Sequence, residues 1–494
     1  MAIKSLSPKL LKNLRFFIRP LNSSTSSSSI SAISSLNLAQ KPEPALAPAS
    51  ATVTKAPSIL DLNNHQSLFS SIPTKKLLHA SLILQMAALE PIVDLGMWVL
   101  NSRLMEMEIV RNVILGVVRR SFYEHFCGGE NSFEAVKCVR RLNEFGLRAK
   151  MDFAVEFTVD NDACDRNFNG FLQAIEAAKS LPSSSVSSVV VKITAICPLN
   201  LLERISDQLR WQQKDPSLNL PWKDDTFPIF SNSSPLYHTL KKPEPLTIEE
   251  EEGLLLAQQR LLKLCEKCVE ANLPLVIDAE HTAVQPAIDY LTYLSAIKYN
   301  KDDNPIVYGT IQAYLKDAKE RLLLATKAAD KTGVPMGFKL VRGAYMSSER
   351  KLASSLGYES PIHNSIQETH DCFNDCASIL LETISNGSHG VILATHNVES
   401  GKLAAKRAIE LGIGTGNYQK LEFAQLYGMA EVLSLSLKNA GFQVSKYMPY
   451  GPIDTVIPYL LRRAEENRGL LSASSLDRDL FRKELTRRLK AAIF

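Results

Sequence analysis

Arg462 and Arg463 stand side by side in the stretch Tyr459-Leu-Leu-Arg-Arg-Ala-Glu-Glu-Asn467. A guanidinium fork meets a carboxylate with two parallel hydrogen bonds, so two of them on one element suit the capture of a small organic acid. Leu460, Leu461 and Ala464 give the stretch one apolar side, which predicts a short helix, and Pro458 stands where proline opens one. Neighbouring helical side chains point about 100° apart, so both guanidiniums reach one ligand only at the edge of that face. The plain alternative is a solvated basic face.

Further polar residues end short apolar runs along the chain: Lys192, Asp278, Gln312, the stretch Lys339 to Tyr345, Thr395-His396-Asn397, Gln425 and Tyr447. The runs are Ala149 to Thr158, Val186 to Thr194, Leu273 to Ile277, Ile306 to Gln312, Gly337 to Tyr345, Gly390 to Thr395, Leu421 to Leu426 and Phe442 to Met448, with helical patterns between them. Eight strands alternating with helices over about 320 residues predict an α/β fold, a (β/α)8 barrel, with a doubly wound sheet as the alternative. In a barrel all C-terminal strand ends face one mouth, so cations, one acid and two tyrosines would line a single pocket. Lys192 or Lys339, if burial lowered its pKa, would equally suit a Schiff-base aldolase or lyase. Gly412-Ile-Gly-Thr-Gly416 has the wrong spacing for a dinucleotide fingerprint and follows a helix.

The formal charge of +4 conceals an asymmetry, because Lys4, Lys9, Lys12, Arg15, Arg19 and Lys41 all precede the first acid, Glu43. Without those six the balance is 4 − 6 = −2, which gives no electrostatic reason to expect nucleic acid. Residues 1–40, basic and serine-rich, have the composition of a transit peptide and predict import into a mitochondrion; a chloroplast and a plain disordered tail are the alternatives. Residues 41–75 read as a linker, on the proline- and alanine-rich stretch Lys41 to Pro57. Residues 76–147 read as a helical segment. Its apolar part, Leu77 to Leu100, is long enough to span a bilayer, but His79, Glu90, Pro91 and Asp94 interrupt it, which predicts buried or membrane-skimming helices. The barrel then occupies 148–470, with an insertion at about 199–252 read as a lid or surface excursion. Residues 471–494 form an amphipathic helix, expected to dock on the barrel mouth, or else to lie on an anionic membrane. The eight cysteines lack a disulfide framework, and Cys265-Glu-Lys-Cys268 has no second pair with which to hold zinc.

Lys-Leu-Val-Arg-Gly-Ala-Tyr345, Ala-Thr-His-Asn397, Gln-Leu-Tyr-Gly-Met-Ala-Glu431 and Tyr-Leu-Leu-Arg-Arg-Ala-Glu-Glu-Asn467 together resemble the proline dehydrogenase (proline oxidase) family, in the family's order. The similarity covers roughly Arg148 to Leu470, and the leader and long insertion resemble a plant-type mitochondrial member. The resemblance implies a distorted (β/α)8 barrel carrying non-covalent FAD, oxidation of L-proline to 1-pyrroline-5-carboxylate, and electron transfer to ubiquinone at the mitochondrial inner membrane, with no metal. It implies that Arg462, Arg463 and Lys192 hold the proline carboxylate, that Tyr447 and Tyr345 pack on the ring, that Asp278 orients the set and that Leu426 is an apolar wall. For the flavin it implies Gln312, Lys339, Val341, Arg342, Gly343, Thr395, His396 and Glu466. The sequence leaves proline and 4-hydroxyproline as alternative substrates.

Overall fold

In the computed structural model the described residues are 59–387, 389–413, 420–469 and 471–493, with backbone alone for 465–469 and 471–473. The leader 1–40, most of the linker and the end of the Gly412 to Gly416 stretch lie outside them.

Eight parallel strands close a barrel in chain order: β1 Arg148–Phe153, β2 Val186–Val191, β3 Leu275–Ile277, β4 Val307–Gln312, β5 Gly337–Val341, β6 Gly390–Ala394, β7 Leu421–Leu426 and β8 Val444–Tyr450. β8 returns to β1, Lys150 lying opposite Tyr447 and Met151 opposite Met448. This closure is the predicted (β/α)8 barrel and rules out the doubly wound sheet. The strands are buried through their centres because the interior covers one face and helices cover the other. Three runs end as strands sooner than expected, since their last residues turn over the mouth: 154–158 after β1, where Phe157 takes φ +58°, Ile193–Ala195 after β2, and 342–345 after β5.

Inside the barrel Val190, Val276, Tyr308, Ile392 and Ala424 form an apolar plug. Side chains alternate along a strand, so residues two positions further on face the same way. That rule brings Lys192, Asp278, Ala394 and Leu426 above the plug, on the mouth side. Lys150, on β1, faces inward lower down, where it is buried with Glu422 and donates to Ser187 Oγ at 3.1 Å.

The helices used below are α1 Thr74–Ala87, α2 Glu90–Leu100, α3 Glu108–Val118, α4 Ser132–Glu144, α5 Asn161–Lys179, α6 Leu199–Lys214, α7 Ile248–Glu270, α8 Gln285–Tyr299, α9 Ala318–Thr332, α10 Met346–Ser355, α11 Ile366–Asn386, α12 Val398–Glu410, α13 Glu431–Asn439, α14 Ile453–Gly469 and α15 Leu471–Ile493. Much of the long β2–β3 connection is regular, since it contains α6 and α7; only 215–247 winds without a helix or strand. That stretch packs along the barrel wall, with Trp222 edge-on to Tyr290 of α8 at 5.5 Å and Ser234 Oγ donating to Asp317 at 2.6 Å. It touches the rim through His238, 2.9 Å from Thr282 Oγ1.

Pro458 does not open its helix, contrary to the sequence reading. α14 begins at Ile453, after Gly451-Pro452, and the Pro452 carbonyl accepts from Thr455 and Val456; Pro458 lies inside, and Arg462 and Arg463 sit in mid-helix. α15 docks on protein, beside α1 and α13. Phe481 meets Phe69 edge-on at 5.0 Å, and Asp477 accepts from the Glu431 and Val432 N–H groups that start α13. The buried Glu484 accepts from Arg487 and Arg488, and Arg488 also donates to the Phe69 and Ile72 carbonyls. Leu77 to Leu100 divides into α1 and α2, bent by 82°, and among the described residues no single helix is long and apolar enough to cross a membrane.

Candidate active site

Strand ends on the mouth side bring the first group of polar residues together. Asp278, one residue past β3, receives Lys339 Nζ from β5 at 2.5 Å and Tyr447 Oη from β8 at 2.8 Å. Lys192, one residue past β2, donates to Tyr447 Oη at 3.2 Å and lies 3.4 Å from Asp278 and 3.5 Å from Asp152 of β1. The Tyr447 ring lies beside both ammoniums, 5.0 Å from Lys339 Nζ and 5.9 Å from Lys192 Nζ. Burial opposes every charge here, yet the cluster satisfies itself. Against burial, Lys339 and Lys192 hold the Asp278 carboxyl below its usual range. Burial would likewise strip Lys192 of its proton, but Asp152, Asp278 and Glu156 outweigh it and hold the ammonium well above its usual range.

Glu156, in the turn after β1, forms a two-pronged pair with Arg462 of α14, at 2.5 and 3.1 Å. Against burial, Arg462 first and Lys192 second hold Glu156 ionised. Tyr345, just before α10, is buried beside them; its ring lies 4.0 Å from His281, whose pKa burial pushes down to about 4. Arg463 turns away from Arg462, as consecutive helical residues must, and its guanidinium lies over Tyr459 of the same helix at 5.2 Å. Its charge acts on His396, which burial first of all pushes down to about 3; neutral His396 accepts the Leu426 N–H at 3.0 Å.

A second group adjoins β5 and β6. Arg342 donates to His370 Nδ1 at 3.0 Å, Thr395 Oγ1 at 2.7 Å and Ser400 Oγ at 2.8 Å, all neutral acceptors, and burial pushes its pKa down to about 10. Thr395 Oγ1 also accepts from the Asn397 N–H, and Asn397 caps α12. Gly343 follows with φ +137°, where a Cβ would lie 2.5 Å from the Tyr314 ring, so the turn admits no side chain. A cation with no carboxylate partner among the described residues, next to the start of a helix, suits an anionic ligand group. Val341 ends β5, with its carbonyl accepting the Ala313 N–H, and Gln312 Nε2 donates to the Glu280 carbonyl at 3.0 Å. The Glu466 side chain lies outside the described residues.

Thus Lys192, Asp278, Lys339 and Tyr447 meet in one group; Arg462 and Tyr345 meet beside Glu156; Arg342 meets Thr395; and Leu426 meets His396. Asp152, Glu156 and Glu280 join the site without being singled out by the sequence pattern. Asp152 follows Lys150 at strand alternation, which was a usable signal; Glu156 lay in a run read as strand.

Residues 135–475 match the family model described as proline dehydrogenase. The chain is 58% identical over 435 residues to "Proline dehydrogenase 2, mitochondrial" of Arabidopsis thaliana, covering 87% of this chain and 91% of that protein. The chain belongs to the proline dehydrogenase family. It is also 31% identical over 434 residues to "Hydroxyproline dehydrogenase" of Mus musculus, covering 84% of this chain and 92% of that one. Its barrel is similar to a crystal structure of proline utilization A from Bdellovibrio bacteriovorus inactivated by N-propargylglycine, with a TM-score of 0.57 and 18% identity. That match covers 85% of this proline dehydrogenase family member but 44% of the solved chain, and at such identity it speaks to the fold alone.

Proposed function

We propose that the protein oxidises L-proline to 1-pyrroline-5-carboxylate, with FAD as its redox group and a membrane quinone as the onward electron acceptor. The observation that carries this reading is the position of Glu156: an internal carboxylate lies where Arg462 and Lys192 both act. A substrate carboxylate entering there exchanges one carboxylate for another at the Arg462 fork. Lys192 supplies the second positive charge, while Asp278 and Tyr447 fix the Lys192 ammonium in place. Tyr345, Tyr447 and Leu426 provide apolar surface for a five-membered ring, while Arg463 lies over Tyr459 of its own helix. The ring nitrogen reacts as the free amine: its lone pair forms the C=N bond as hydride leaves the adjacent carbon, so alignment does most of the work.

Arg342 with its neutral acceptors, the α12 start and the crowded Gly343 turn fit the phosphates of FAD. Arg342, Gly343 and Thr395 would hold it, with Gln312, Lys339, Val341, His396 and Glu466 completing the set. Bound FAD supplies a two-electron hydride acceptor. Family membership and the relative's name support the activity, and that name together with the basic, acid-free leader supports a mitochondrial location; the matrix side of the inner membrane is part of the proposal and follows from the membrane quinone.

The mouse relative favours a second substrate reading, 4-hydroxyproline. Schiff-base chemistry at Lys192 is disfavoured, since three carboxylates keep it protonated and an attacking amine must be neutral. The test is turnover by flavin-loaded protein with a quinone analogue, trapping the cyclic imine with an aromatic amino-aldehyde. Faster imine formation from proline supports the first reading. Formation from 4-hydroxyproline alone replaces it with the second, and formation from neither rejects both.

A further inference from the structure

The segment from α1 to α3 exposes large apolar side chains on every one of its elements. On α1 they are Leu78 and Leu82, on α2 Leu95 and Trp98, and on α3 Ile109, Val113 and Val117, with Leu89, Leu104 and Met107 in the connections. The exposures are large: Leu95 61%, Trp98 62%, Ile109 81%, Val113 64% and Val117 65%. On α3 the spacing is i, i+4, i+8, a stripe along one face, opposite the buried Leu115. Such a concentration of apolar surface marks an interaction site. We propose that this outward face of Leu78 to Val117 is the surface by which the protein seats on a lipid bilayer, resting in its interfacial layer without crossing it.

Three observations select lipid as the occupant. α1 and α2 together have the apolar length of a membrane span but are bent by 82°, a shape that fits lying along a bilayer. The exposed residues are almost all aliphatic, with Trp98 as the single aromatic, whereas protein interfaces favour several aromatics with Arg. The exposed charges nearly cancel, Lys75, Lys76, Arg103, Arg119 and Arg120 against Glu90, Asp94, Glu106 and Glu108, so attraction rests on apolar area and not on anionic headgroups. The segment is also fixed to the barrel rim. Arg111 of α3 pairs with Asp454 at 2.5 Å, Tyr123 Oη donates to the Gly451 carbonyl at 2.6 Å, and the Gly128 N–H donates to the Pro449 carbonyl at 2.8 Å. Seating this face therefore brings the mouth, where β8 ends, to the phase in which an apolar quinone dissolves, which in that respect rests on the proposed function.

The experiment uses the full chain and vesicles of neutral phosphatidylcholine. Wild type sediments with the vesicles and remains bound in high salt. Leu95→Gln/Trp98→Gln and Ile109→Gln/Val113→Gln each lower the partition coefficient roughly 100-fold, since two large apolar groups are removed at roughly tenfold each. Circular dichroism and proline-dependent reduction of a soluble dye stay unchanged, and Leu489→Gln/Ile493→Gln, on the exposed end of α15, binds as wild type. The proposal is overturned if both double variants bind as wild type or if salt releases the wild type. It is equally overturned if the substitutions only convert an oligomer into monomers while wild type ignores the vesicles. Loss of dye reduction in wild type would reject the proposed reaction and leave the partition result standing.

Discussion

Both carboxylate oxygens of Glu156 are taken by the two terminal nitrogens of Arg462, at 2.5 and 3.1 Å. The fork that would grip a substrate carboxylate thus already holds one, and substrate binding becomes an exchange. A charged two-pronged contact contributes about 1.5–3 kcal/mol. Arg462→Met should therefore raise the half-saturating proline concentration roughly 10- to 100-fold with flavin content unchanged. Glu156→Gln should lower it, because a neutral amide competes less well for the guanidinium. Steady-state kinetics with flavin quantitation checks both, and loss of flavin in Arg462→Met would count against the assigned role.

Among the described residues, Asp278 is the one carboxylate that contacts both Lys339 and Lys192. Asp278→Asn leaves two buried ammoniums short of a counter-charge, a loss of about 3–5 kcal/mol. Tyr447→Phe removes only a hydroxyl and costs about 1 kcal/mol. Denaturant unfolding of the two variants should show that order, and equal effects would contradict it.

Arg342 holds only neutral acceptors among the described residues, so its charge is available to an anionic group. Arg342→Met should weaken flavin retention through gel filtration by roughly tenfold or more, and Arg342→Lys by less. Unchanged retention in Arg342→Met would remove the residue from the cofactor set.

Glu280 is wholly buried, and burial pushes its carboxyl up to about 7, against the hydrogen bonds it accepts from Thr194. The folded protein then binds this proton more tightly than the unfolded chain does, where a glutamate titrates near about 4.3. Its contribution to stability is full below that value and is lost as pH rises to about 7. Thermal unfolding of Glu280→Gln between those limits should show a flatter pH dependence than wild type; a parallel curve would place the proton elsewhere.

Much of the barrel was legible because strand runs are short, β-branched and ended by polar residues, so Lys192, Asp278, Lys339 and Tyr447 announced themselves at strand ends. Arg462 was visible by type, but its present partner was not. Glu156 belongs to a run that looks like continuing strand, and only the left-handed Phe157 turn carries it over the mouth. The start of α14 was misplaced because Pro458 and Pro452 offer the same local signal, and tertiary contacts at the Gly451 turn decide between them. The docking of α15 depends on Asp477 and Glu484 finding partners far away in the chain, which helical periodicity does not encode.

In the proposed reaction, cations from the ends of β2, β5 and α14 present one small imino acid to a bound flavin. Anaerobic titration of the flavin-loaded protein with L-proline, followed by visible absorbance, tests it most directly. The oxidised flavin band should bleach with saturation and return when a quinone analogue is added. A band that stays oxidised at saturating proline, in protein whose flavin is bound and reducible by dithionite, would contradict the account.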